Sequence, residues 1–132
     1  MVTNYFRNCV MGNVFGSQTT PALPTAYWLG MSSTAPTVDG TNITEPSGGA
    51  YARVQLGSLS APSDGTVTNS TEVEYAETTS DWGTMTHFVV FDAATGGHAL
   101  VYDELTKPRV VQSENQVRFK AGALSITLQN PA

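Results

Sequence analysis

Apolar positions along this chain follow two different periods. Near the start, Tyr5, Phe6, Cys9 and Val10 recur at three- and four-residue spacing, with Thr3 placed to cap and Gly12 to stop, so residues 1–12 are expected to hold one short amphipathic helix. Pro21 and Pro24 then exclude helix from the turn-rich residues 16–24. Residues 25–32 carry Tyr27, Trp28, Leu29 and Met31 in a nearly continuous apolar run, which predicts a strand buried on both faces. Thr, Pro, Gly, Asn and Asp fill residues 33–50, a long loop containing Ser47-Gly48-Gly49, and loops of this length are uncommon unless they bind something.

Alternation returns at residues 51–56, where Tyr51, Arg53 and Gln55 oppose Ala52, Val54 and Leu56. Residues 66–75 alternate weakly, with Glu72 and Glu74 opposite Val73 and Tyr75, as on a peripheral strand whose acids discourage edge pairing. Residues 84–91 and 98–102 flank Asp92-Ala93-Ala94-Thr95-Gly96-Gly97 and predict a hairpin, the glycines supplying the positive φ of its turn. Residues 109–111 after Pro108, residues 116–119 and residues 123–128 complete the set. The reading is an all-β chain, an antiparallel β-sandwich or open barrel of about seven or eight short strands with one short N-terminal helix, forming a single domain over residues 1–132. The expected core comprises Trp28, Leu29, Val54, Phe88, Val90, Leu100, Leu124 and Ile126.

Charge adds direction to this picture. Charged residues make up 13% of the 132 positions, about half the usual share, a surface that a subunit of an assembly tolerates better than a free enzyme. The net charge of −5 argues against general affinity for nucleic acid or anionic membrane. Between Val54 and Thr106 there are acids but no Lys or Arg, whereas Lys107, Arg109, Arg118 and Lys120 follow close together. Glu72, Glu74 and Asp103 on one side and those four bases on the other are therefore candidate interface residues, an acidic patch meeting a basic edge on a neighbour. Arg53, the only base between Arg7 and Lys107, is expected to pair with an acid and fix the long loop. No stretch approaches the roughly 20 apolar residues of a membrane-spanning helix, and the first residues lack an uninterrupted apolar run of signal-peptide length.

Catalytic chemistry finds no foothold in the pattern. There is no G-x-S-x-G elbow, and Cys9 falls on the apolar side of the helix, where a buried, inert thiol is expected. A single cysteine forms no intrachain disulfide. His87 and His98 stand on the two arms of the hairpin, with Asp92 or Asp103 nearby, yet spacing alone does not assemble three or four metal ligands. The acid pairs Glu72/Glu74 and Asp103/Glu104 are such as any acidic strand offers. Trp28, Trp82, Tyr51, Tyr75 and Tyr102 could stack on sugars but more often anchor a core. The sequons at Asn42 and Asn69 are products of Thr/Ser/Asn-rich loops, and no catalytic residue, metal or cofactor is expected.

Several segments resemble, in order, a family of small tailed-phage structural proteins commonly called phage tail fibre proteins. They are Tyr27-Trp28-Leu29-Gly30-Met31-Ser32 followed by Thr34-Ala35-Pro36-Thr37, and Ser47-Gly48-Gly49-Ala50-Tyr51-Ala52-Arg53-Val54. Trp82-Gly83-Thr84-Met85-Thr86-His87-Phe88, Phe91-Asp92-Ala93-Ala94-Thr95-Gly96-Gly97 and Gly122-Ala123-Leu124-Ser125-Ile126-Thr127-Leu128 continue the series. The resemblance implies a virion component without known enzymatic activity, made in the bacterial host cytoplasm, at the tail or fibre base or as a capsid decoration. Its expected partners are other virion proteins and copies of itself, as a homo-oligomer and in particular a trimer. The alternative is a carbohydrate-binding module that uses residues 33–49 and an exposed tyrosine on a glycan.

Overall fold

The computed structural model describes residues 1–17, 22–57 and 59–127. Pro21 and Leu128, assigned above to a turn and to the last strand, lie outside them. Thr3 caps the helix as its sequence suggests: its side chain accepts the Phe6 amide at 3.3 Å, and α1 spans Asn4–Val14. Gly12 does not stop it. The ladder continues past the glycine to the Phe15 amide, which donates to the Met11 carbonyl at 2.9 Å; one interior glycine costs only about 1 kcal/mol. Thr3 is fully buried and its hydroxyl also donates to the Ala99 carbonyl at 2.7 Å, tying the helix start to the sheet.

Eight strands are found among the described residues, all pairing antiparallel: β1 Trp28–Ser32, β2 Val54–Gln55, β3 Thr66–Thr68, β4 Val73–Glu74, β5 Gly83–Phe91, β6 Ala99–Val111, β7 Arg118–Phe119 and β8 Ser125–Thr127. They form a four-stranded sheet in the order β2-β1-β5-β6 and two two-stranded sheets, β3-β8 and β4-β7. The architecture is an all-β, sandwich-like fold without a closed barrel. The expected hairpin is its spine, β5 against β6, with Gly96 and Gly97 at φ 60° and 69° in the turn.

Residues 109–111 are not a separate strand. β6 continues through Pro108 because residues 105–108 bulge opposite the single Thr86, between the pairs Met85↔Arg109 and His87↔Glu104, where no regular ladder bond is asked of the proline. Residues 66–75 are not one strand either. They divide at Asn69, which is 3% exposed; its Nδ2 donates to the Thr71 and Lys120 carbonyls and its Oδ1 accepts the Leu124 amide. The second half is far from peripheral, since Val73 and Tyr75 are 3% and 1% exposed.

The large sheet buries both faces, which explains the unbroken apolar runs in β1 and β5. On the inner face Leu29, Met31, Met85, Phe88 and Val90 pack with Tyr75, Trp82, Phe119 and Leu124. On the outer face Val89, Phe91, Ala99 and Tyr102 pack with Trp28 and Ile43. Trp28, Val54 and Ile126, expected in the core, are half-buried at its margin. The cover on the outer face includes Ile43 from residues 33–50, so part of this long loop is built into the fold. It is stitched to itself by Thr37 N–H to the Thr41 carbonyl (3.0 Å), Ser33 N–H to the Thr44 carbonyl (3.0 Å) and Asn42 Nδ2 to the Ala35 carbonyl (2.8 Å).

Candidate functional site

The best-organised polar cluster lies on the outer face, where Arg53 joins three segments distant in sequence. Its Nε and Nη2 donate to the two carboxylate oxygens of Glu45 at 2.9 and 2.8 Å, a fork-on-fork pair. Its Nη1 donates to the carbonyls of Ala93 and Gly96 at 2.9 and 2.8 Å, in the β5–β6 turn. The guanidinium lies 3.4 Å from the centre of the Phe91 ring. The Arg53 side chain is 9% exposed and that of Glu45 23%. Glu45 escapes a sequence reading because it sits among Thr, Pro and Ser in the loop; the one signal is that no other carboxylate lies between Asp39 and Asp64.

Tyr51 completes the cluster. Its hydroxyl donates to Glu45 Oε1 at 2.5 Å and accepts the Met31 amide at 3.2 Å. Its ring sits edge-on to Trp82, whose Nε1 donates to the Gly49 carbonyl at 2.9 Å. Burial, reinforced by the hydrogen bond to Glu45 and by that group's charge, pushes the Tyr51 phenol far above the ordinary tyrosine range. Tyr75, whose hydroxyl donates to the Leu29 carbonyl at 2.7 Å, is pushed the same way, chiefly by burial. A folded-state value above the unfolded one means that both contribute stability below the ordinary value of 10.0 and lose it as pH climbs further. In an ultraviolet titration these two phenols are expected to stay neutral until the chain unfolds. Ionisation of every tyrosine near pH 10 with the fold intact would contradict this environment.

The remaining candidates fall elsewhere. Glu72 and Glu74 each stand 3.8 Å from Arg118, and Glu74 faces Arg118 across the β4–β7 pair, so acids and base separated in sequence are neighbours within one chain. Asp103, Lys107 and Arg109 line one open groove of about 560 Å³ with Glu104, Phe119 and Leu124. Arg109 connects the two groups, its Cζ 4.8 Å from the Phe119 ring centre and its Nη1 donating to the Arg118 carbonyl at 3.3 Å. Lys120 is exposed, and its carbonyl closes a turn by accepting the Ala123 amide at 2.9 Å.

The hairpin histidines do not converge. His87 pairs with Glu104, while His98 lies beyond the strand end, stacked on Tyr5 at 3.9 Å and 3.5 Å from Asp92. No group of three His, Cys, Asp or Glu side chains placed to hold a metal is found among the described residues. Of the aromatic residues that could face a sugar, Tyr75, Trp82 and Tyr102 are buried, and Trp28 and Tyr51 are half-buried. Cys9 is buried, its Sγ donating to the Ala22 carbonyl at 3.3 Å.

Among protein families, the model described as "Podophage GP4 fiber I protein gp80" matches residues 1–127. Comparison with the curated proteins finds no match.

Proposed function

The chain belongs to the podophage GP4 fiber I protein family, a structural family of the phage virion, and from that premise we propose that it is a non-enzymatic fibre subunit. It works by gripping copies of itself and other virion proteins. It is made in the host cytoplasm, folds as a single domain and assembles as a homotrimer at the fibre rather than decorating the capsid.

Beyond family membership, one observation supports this reading: the buried charge is spent internally. Arg53 makes four hydrogen bonds, to a loop carboxylate and to two turn carbonyls of its own chain. An arrangement closed on itself fixes a shape and presents no reacting atom. The long loop is likewise committed to the outer face of the sheet through Ile43. The burial of Tyr75, Trp82 and Tyr102 removes three of the five aromatics on which the sugar-binding alternative draws.

Sedimentation velocity of the purified chain, together with immunogold labelling of whole particles, tests the proposal. The expected results are a trimer and label on the tail. A monomer at high micromolar concentration, or gold spread over the head, would overturn it.

A further inference from the structure

Between Arg7 and Asp39 the sequence contains no Asp, Glu, Lys, Arg or His. Among the described residues of this uncharged stretch five large apolar side chains remain in solvent: Met11, Val14, Leu23, Val38 and, the most exposed at 76%, Phe15. Met11 precedes Val14 and Phe15 by three and four residues, which places them together at the last turn of α1. The Cys9 bond to the Ala22 carbonyl brings Leu23 alongside the helix. No charged residue belongs to this stretch of chain, and depletion of charge around large apolar residues marks the centre of protein interfaces.

The same molecule has a hole of matching character. A cavity of about 160 Å³ opens beside α1, walled by Phe6, Tyr27, Leu59, Val67, Val101 and Ile126, with no charged side chain in its wall among the described residues. A void of about 150 Å³ with such a lining accepts one benzene ring. Phe15 does not reach the cavity of its own chain. It stands about 13 Å further along the helix axis than Phe6 at 1.5 Å per residue, and its amide is held by the Met11 carbonyl at 2.9 Å.

We propose that Phe15 of one copy seats in this cavity of the next, with Met11, Val14 and Leu23 packing around the rim. The inference rests on the homo-oligomer reading above and supplies its contact. Knob and hole are different surface features, so the contact can repeat head-to-tail from copy to copy, the arrangement that a closed trimer ring uses.

Phe15→Asp removes the knob at an exposed position, and Val67→Phe fills the hole. Should Val67→Phe fail to fold, Leu59→Trp fills it from another wall. In sedimentation velocity each variant alone is expected to run as a monomer, with a cooperative thermal melt showing that Phe15→Asp is folded. An equimolar mixture is expected to run as a dimer, because the intact Phe15 of one variant finds the open cavity of the other. A Phe15→Asp protein that remains oligomeric like the wild type, or a mixture that stays monomeric, would overturn the contact while leaving self-assembly standing. A monomeric wild type would defeat the homo-oligomer reading itself, and this contact with it.

Discussion

Arg53→Ala is expected to lower the stability of the fold by about 3–5 kcal/mol, the range for halving a buried ion pair, with a drop in Tm on the order of 10 °C. The magnitude follows from what is left behind. Glu45 would keep its charge with only the Tyr51 hydroxyl bonded to it, the carbonyls of Ala93 and Gly96 would lose their donor, and Phe91 would lose the plane stacked on it. Arg53→Lys should recover little, because an ammonium cannot span both carboxylate oxygens and two turn carbonyls at once. Thermal and urea denaturation measure the loss. A cost below about 1 kcal/mol, the level of an exposed surface pair, would show that the cluster does not hold the loop to the sheet.

Gly30→Ala is expected to destabilise by more than about 2 kcal/mol, toward the upper part of the range for overpacking a filled interior. An added Cβ would stand 2.7 Å from Glu45 Oε1, 2.9 Å from a Phe91 ring carbon and 2.9 Å from the Tyr51 hydroxyl. The backbone has little room to withdraw, since β1 is hydrogen-bonded to β2 on one side and β5 on the other, with Gly30 opposite Val89. At an open strand position the same change would be stabilising, through the reduced entropy of the unfolded chain. The sign of the measured change in a urea titration therefore decides whether the strand and the ion pair are packed as closely as described. A neutral or stabilising result would refute that packing.

These two substitutions bracket what the sequence could and could not reveal. The helix start was legible because Thr3 combines a capping hydroxyl with an apolar repeat immediately after it. The hairpin was legible because two β-rich runs flank paired glycines. Arg53 stood out as an isolated base, but its partner did not, since a carboxylate in a Thr- and Pro-rich loop looks like any solvated acid until the loop folds back. Asn69 was hidden for a related reason: nothing local separates it from Asn42, and only the approach of Lys120 and Leu124 makes it the buried hinge between β3 and β4. Pro108 pointed to a strand boundary, which is the usual consequence of a missing N–H, and the bulge beside it is a property of the pairing with β5 rather than of β6 alone.

That bulge also bears on how copies of the chain can be crowded together. β6 is an outer strand of the large sheet, thirteen residues long; Val2 bridges its first part at Val101, and the length of edge that remains is an invitation to lateral growth. Lys107 and Pro108 sit in the bulge, one placing a charge there and the other withholding a donor, so a second sheet meets an interrupted ladder. Two such edges brought side by side are thereby steered away from zipping into a continuous ribbon.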